Sequence, residues 1–181
     1  WGKGDKDAVE RILGIALRTS VIVSAVFFGV TTFLPEKLMR IFTSDSALIG
    51  YGSDYLRIVG VTYLMCGVSQ IYLCIMKNSD LAAKSMIIGS AAALLNIALN
   101  AVLIYGLLGA PRMEAAGAAA ATAVSRGVEL LWVLTEMRKK GRIRIRIKYL
   151  FYPDKTLRKD FWHYTFPVLG NELVWGGGFT M

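Results

Sequence analysis

The sequence predicts an all-α integral membrane protein, a polytopic helical bundle, and three observations carry that expectation. First, residues of the set AVILMFWYC make up 55% of the 181 positions and charged residues only 19%, where soluble domains carry about 25%; the mean hydropathy is +0.48. Second, residues 19–35, 58–76 and 85–111 contain no charged side chain, and about 20 helical residues cross a hydrocarbon core of about 30 Å. Third, Lys and Arg are spread unevenly over the segments that connect these stretches. The same composition excludes disorder, a collagen-like repeat and a disulfide scaffold. A soluble helical bundle fits poorly, because residues 86–105 show no polar face: their strongly polar side chains are Ser90, Asn96 and Asn100.

The chain opens at Trp1 and closes at Met181 inside an apolar run, which predicts an internal piece of a longer polypeptide. A first span covers residues 12–34, with Arg18 near enough to its end to reach headgroups. Residues 35–42 then read as a short helix at the outer interface: Pro35 suits a first turn, and Leu38, Met39, Ile41 and Phe42 give it an apolar face. Asp45 offers an N-cap for the helix that becomes the second span, residues 55–76. The short turn 77–80 makes the second and third spans antiparallel neighbours. The third span, residues 85–108, stops at a turn holding Gly106, Gly109 and Pro111. A fourth, Ala-rich span covers residues 114–136, and a fifth begins near Phe161. Between them lies the alternating run 142–148, Arg-Ile-Arg-Ile-Arg-Ile-Lys, which predicts an extended segment with one basic face. It reads as a solvated linker, or as a contact for anionic lipid headgroups. Tyr149, Phe151, Tyr152, Trp162 and Tyr164, with His163 among them, suit an interfacial aromatic belt.

With five spans the connections alternate sides. Residues 1–11, 77–84 and 138–160 carry 15 of the 21 Lys and Arg, and the opposite connections carry 4 (Lys37, Arg40, Arg57 and Arg112). That asymmetry places the first set in the cytoplasm of a multi-pass plasma (inner) membrane protein. The net charge of +8 is then a topology signal rather than a sign of nucleic-acid binding.

Polar groups at membrane depth are costly without a partner or a water-filled cavity, so they form the functional shortlist. On the third span, Gly89, Ala92, Ala93, Asn96 and Asn100 share one face. On the second, Tyr63, Cys66, Gly67, Gln70 and Cys74 form a comparable stripe. On the fourth, Gly117 and Ala121 make a small face, and Arg126 and Glu129, three apart, can pair. On the fifth, Pro167 and the glycines at 176–178 weaken the helix around Glu172, as in transporters that expose charge at a broken helix. Each of Gln70, Asn96, Asn100, Arg126, Glu129 and Glu172 also has a purely structural reading, as interhelical glue or as one half of an ion pair. Cys66 and Cys74 lie eight apart on one predicted helix and cannot bridge. No metal or cofactor motif is present, and neither is an HExxH or GxSxG signature of a membrane-embedded enzyme.

In this order the residues resemble the multidrug and toxic compound extrusion (MATE) family. The opening Trp1-Gly2-Lys3-Gly4-Asp5 is similar to the loop after that family's second span, and Tyr55-Leu56-Arg57-Ile58 to the entry of its fourth. Leu95-Asn96-Ile97-Ala98-Leu99-Asn100 resembles its Asn-bearing fifth span, Gly117-Ala118-Ala119-Ala120-Ala121-Thr122 the run that opens its sixth, and Phe166-Pro167 the start of its seventh. The resemblance implies a fragment of a two-lobe, twelve-helix transporter. Residues 1–137 would belong to the N-lobe, 138–160 to a cytoplasmic linker and 161–181 to the first C-lobe helix, with the remaining helices supplied by the same polypeptide. It also implies export of small cationic drugs or metabolites through the bilayer in exchange for Na⁺ or H⁺, with Na⁺ possible at Glu172. Two positions depart from the pattern. Glu114 stands where members usually have Gly. Trp175 stands where several carry a cation-binding acid, while Glu172 falls one turn earlier. The alternatives are a flippase for lipid-linked oligosaccharides of the same superfamily, which would want a strongly cationic cavity, and a structural membrane subunit.

Overall fold

A computed structural model describes residues 5–109, 111–139, 141–151 and 154–180. The elements are α1 (Lys6–Phe33), α2 (Pro35–Phe42), α3 (Ser46–Lys77), α4 (Ala82–Tyr105), a 3₁₀ turn (Leu107–Gly109), α5 (Glu114–Met137), α6 (Ile147–Phe151) and α7 (Lys155–Thr180). Four of them, α1, α3, α4 and α5, are long and apolar enough to cross a membrane. The chain divides into two compact units, one of residues Thr19–Arg142 and one of Trp1–Arg18 with Ile143–Met181.

Local signals set the boundaries in the first unit. Pro35 opens α2, where its missing N–H costs nothing. The Asp45 carboxylate accepts from the backbone N–H of Ala47 at 2.8 Å and of Leu48 at 3.4 Å, capping α3. Gly106, at φ +72°, ends α4 in the left-handed conformation. Glu114 begins α5 at φ +49°, a left-handed backbone that L side chains resist. A glycine at this position would be free of that strain.

The core of this unit forms where α5 meets α3 and α4. Tyr72, Met76, Ile88, Ala119, Ala121 and Val133 are buried there. The short turn does hold α3 and α4 together, through Ser85 Oγ donating to the Leu73 carbonyl at 3.0 Å. The more extensive partner of both is nevertheless α5, because its small residues let backbones approach. A Cβ on Gly117 would meet the Leu103 carbonyl oxygen at 2.7 Å, and the Met113 N–H donates to that same carbonyl at 3.0 Å. The stripe expected on α3 divides between two neighbours. Gly67 faces Ser20 and Ser24 of α1, and the Tyr63 ring lies 5.9 Å from that of Phe27, while Gln70 turns to α5. Leu94 and Leu131 are each more than 60% exposed, which suits a lipid solvent.

In the second unit the basic segment keeps Arg144, Arg146 and Lys148 exposed, as the alternation predicts, but it is held to α1 by ion pairs. Residues 143–146 are non-helical, but the chain then turns helical as α6, and Ile143 is buried. Arg146 pairs with Glu10 at 2.6 Å, the Arg144 N–H donates to Glu10 at 3.1 Å, and the Tyr149 hydroxyl donates to Asp7 at 2.6 Å. Arg11 and Arg146 lie 5.5 and 5.7 Å from the centroid of the Tyr149 ring. Tyr149 therefore belongs to this ionic cluster, and Tyr152 lies outside the described residues. The weakened helix expected around Glu172 is also corrected. α7 runs unbroken from Lys155 to Thr180 with Pro167 inside it. Pro removes one intrahelical hydrogen bond, yet the remaining backbone groups are satisfied only if the helix continues. The residues of the expected fifth span lie on α7, which is not among the four helices apolar enough to cross a membrane; His163, Asn171 and Glu172 interrupt its apolar run.

Candidate functional site

Glu129 is the centre of the polar groups in the unit Thr19–Arg142. It sits two thirds of the way along α5 and is 1% exposed. Its Oε1 accepts from Ser69 Oγ at 2.6 Å and from Gln70 Nε2 at 2.8 Å, both on α3. Its Oε2 accepts from Arg126 Nη1 at 2.7 Å, one helical turn away on α5. A buried carboxylate needs this density of donors, because an unpaired charge would cost several kcal/mol.

A second network runs along α4. Asn100 Nδ2 donates to Asn96 Oδ1 at 3.1 Å, and Asn96 Nδ2 donates to Ser125 Oγ at 3.2 Å and to Thr122 Oγ1 at 3.5 Å. Those hydroxyls in turn donate back to carbonyls of α5, Thr122 to Ala118 at 2.9 Å and Ser125 to Thr122 at 3.0 Å. The Asn100 Oδ1 is buried and has no hydrogen-bond partner among the described residues.

The two networks share an open cavity of about 770 Å³ between α3, α4 and α5. Gln70, Asn96, Arg126 and Glu129 line it, as do Thr122 and Ser125. Its apolar walls include Leu73, Met86, Ala92 and Ile97. Of the six candidates read from the sequence, four therefore lie on one cavity, and Asn100 is bonded to one of them. Glu172 is exposed on α7, in the other unit. The sequence reading missed Ser69 and Ser125. Both are short hydroxyls that an apolar helix can satisfy against its own backbone, so neither stands out in the chain.

A helical bundle with apolar residues outward and a polar, charge-bearing cavity within defines a polytopic membrane protein whose interior is built to meet polar groups. The chain belongs to the MatE family, whose model matches residues 1–102. It is 23% identical over 168 residues to the uncharacterized transporter YisQ of Bacillus subtilis, covering 93% of this chain and 37% of that protein. It is 25% identical over 187 residues to the probable multidrug resistance protein NorM of Thermotoga maritima, covering 99% of this chain and 39% of that protein. The fold matches the inward-facing conformation of a multidrug resistance MATE family transporter of the MOP superfamily with a TM-score of 0.64 and 18% identity, over 86% of this chain and 40% of that one. The chain thus spans about two fifths of the relatives it matches, and it is part of a multi-pass membrane protein.

Proposed function

We propose that the protein containing this chain is a secondary active antiporter that exports drugs or metabolites with cationic groups across the plasma membrane, in exchange for Na⁺ or H⁺. The observation that carries this reading is the cavity between α3, α4 and α5, whose charged and amide groups are gathered inside helices that are apolar outside. Family membership and the multidrug names of relatives support it. In this reading, residues 1–137 belong to the N-lobe and 138–160 to a cytoplasmic linker. Residues 161–181 start the first helix of the C-lobe, and the remaining helices of the polypeptide close the cavity. Gln70, Asn96, Arg126 and Glu129 form its wall, Asn100 supports Asn96 from beside it, and Glu172 is the acid that loads the coupling ion. Coupling follows when ion and substrate favour different arrangements of the two lobes.

The test uses the full-length protein in vesicles with an imposed Na⁺ or proton gradient. Gradient-driven movement of a fluorescent organic cation is expected, and Glu172→Gln should lower it at least tenfold while insertion is unchanged. Movement indifferent to both gradients would overturn the antiporter reading, and full activity of the variant would remove Glu172 from it.

A further inference from the structure

Stretches of chain 134 positions apart meet at the start of α1. Asp7, Glu10 and Arg11 share one face of its first two turns. Glu10 is 6% exposed, and the segment before α6 gives it two partners, Arg146 Nε at 2.6 Å and the Arg144 N–H at 3.1 Å. Asp7 accepts from the Tyr149 hydroxyl at 2.6 Å and from Arg11 Nε at 2.8 Å. Arg11 then reaches the other way, its Nη1 donating to Asp154 Oδ2 at 3.4 Å. The second oxygen of Asp154 accepts from the N–H groups of Thr156 at 2.9 Å and Leu157 at 3.3 Å, capping α7. A single carboxylate thus holds the first turn of α7 with one oxygen and α1 with the other. Every group in the cluster belongs to this chain, so helices elsewhere in the polypeptide can cover it without supplying any part of it.

We propose that residues 143–151 form a permanent clasp that fixes the first turn of α7 to the first turns of α1, and that the two lobes pivot about this point. This rests on the export reading above, which assigns α1 and α7 to different lobes, and it adds where their motion is anchored. Half-exposed pairs such as Arg11 with Asp7 and Asp154 hold little singly. Here they act together with a buried carboxylate and a packed backbone: Ile143 is 4% exposed, and a Cβ on Gly14 would stand 2.9 Å from the Tyr149 backbone. As a free coil, the stretch from Met137 to Asp154 would let its ends wander over about 20–25 Å. The clasp removes that freedom and confines lobe motion to rotation about the first turn of α7, as a hinge at the end of an element does. Each change of lobe arrangement leaves the contacts of Glu10, Asp7 and Arg11 intact.

The test has two arms, both on the full-length protein. In the first, deuterium exchange of residues 143–151 is followed in detergent with Na⁺, with K⁺ in its place, and with tetraphenylphosphonium added. Exchange should agree within twofold across the three conditions and be at least tenfold slower than in Glu10→Ala. Exchange as fast as in that variant, or rising tenfold in any condition, would overturn the proposal. In the second arm the clasp is closed covalently by Gly14→Cys/Tyr149→Cys, with the other cysteines replaced by serine. Disulfides join Cβ atoms about 3.8 Å apart, and the 2.9 Å approach of these two positions is close to that. The oxidised protein in vesicles should move a fluorescent organic cation within twofold of the rate seen after reduction. A tenfold loss on oxidation that reductant restores would mean that the segment must lift off, and would overturn the proposal. If the unaltered protein moves no cation under either gradient, the export reading fails and exchange alone decides the clasp, as it does where the cysteine pair does not fold.

Discussion

The Cβ that Gly117 lacks would stand 2.7 Å from the carbonyl oxygen of Leu103. A methyl group cannot occupy that space without moving backbone, since real Cβ contacts are longer. Gly117→Ala should therefore push α4 and α5 apart and cost about 1–3 kcal/mol. Gly127, on the same helix, has nothing within 4 Å of its would-be Cβ. Gly127→Ala should be neutral or gain up to about 1 kcal/mol from helix propensity. Thermal unfolding of the two full-length variants in detergent separates them, and equal midpoints would show that the close approach is not required.

Glu114 offers the opposite experiment. At φ +49° its side chain carries a left-handed cost of about 1–2 kcal/mol. Its pairing with Arg112 at 3.8 Å, between side chains 70% and 71% exposed, offsets little of that. Glu114→Gly should raise the unfolding midpoint, and Glu114→Val should lower it. A drop with glycine would mean that the carboxylate contributes more than its exposure suggests.

These two sites show what the chain discloses and what it hides. Features fixed within a few residues are legible. Pro35 and the apolar pattern after it specify α2, and Asp45 announces its cap, because both depend on nearest neighbours along the backbone. The polar members of the cavity are legible one by one, since Gln70, Asn96, Arg126 and Glu129 are conspicuous in apolar runs. Their partners are not. Ser69 meets Glu129 across 60 positions, and the Arg144 N–H meets Glu10 across 134. Nothing local encodes such pairings. The alternation at 142–148 suggested an extended ribbon, but ion pairs to α1 decide its path. The Gly-rich end of α7 stays helical because isolated backbone polar groups would be left unbonded.

The segment leading into α6 is held on the start of α1 by named contacts, so its release can be measured. Arg146 pairs with Glu10 at 2.6 Å and with Asp7 at 3.7 Å. A Cβ on Gly14 would come within 2.9 Å of the Tyr149 backbone, which marks how closely the segment lies on the helix. Arg146→Ala should free residues 143–151 and speed trypsin cleavage after Arg144 or Lys148 several-fold. Tyr149→Phe, which loses only the hydroxyl bond to Asp7, should do so less. Mass spectrometry of timed digests gives both rates. Unchanged cleavage in Arg146→Ala would show that the pair does not hold the segment.

The Arg126–Glu129 pair should behave as one unit rather than as two residues. Removing the guanidinium alone leaves a carboxylate 1% exposed with only Ser69 and Gln70 as donors. Breaking a fully buried pair costs about 3–5 kcal/mol, and the 39% exposure of Arg126 places Arg126→Gln at the low end, about 3 kcal/mol. Glu129→Gln replaces one of the two acceptor oxygens by an N–H donor and leaves the Arg126 charge uncompensated, and should cost about 2 kcal/mol. In the double variant two neutral amides can bond each other and Ser69, so the total should fall short of the sum by roughly 1–3 kcal/mol. Ser69→Ala, which deletes a single hydrogen bond, should cost about 1 kcal/mol alone and less when Glu129 is already Gln. Urea or thermal unfolding of the full-length variants closes the cycle. Strict additivity of Arg126→Gln and Glu129→Gln would mean that the two charges do not depend on each other, and the cavity would then have to be redrawn with Arg126 facing it as an independent cation.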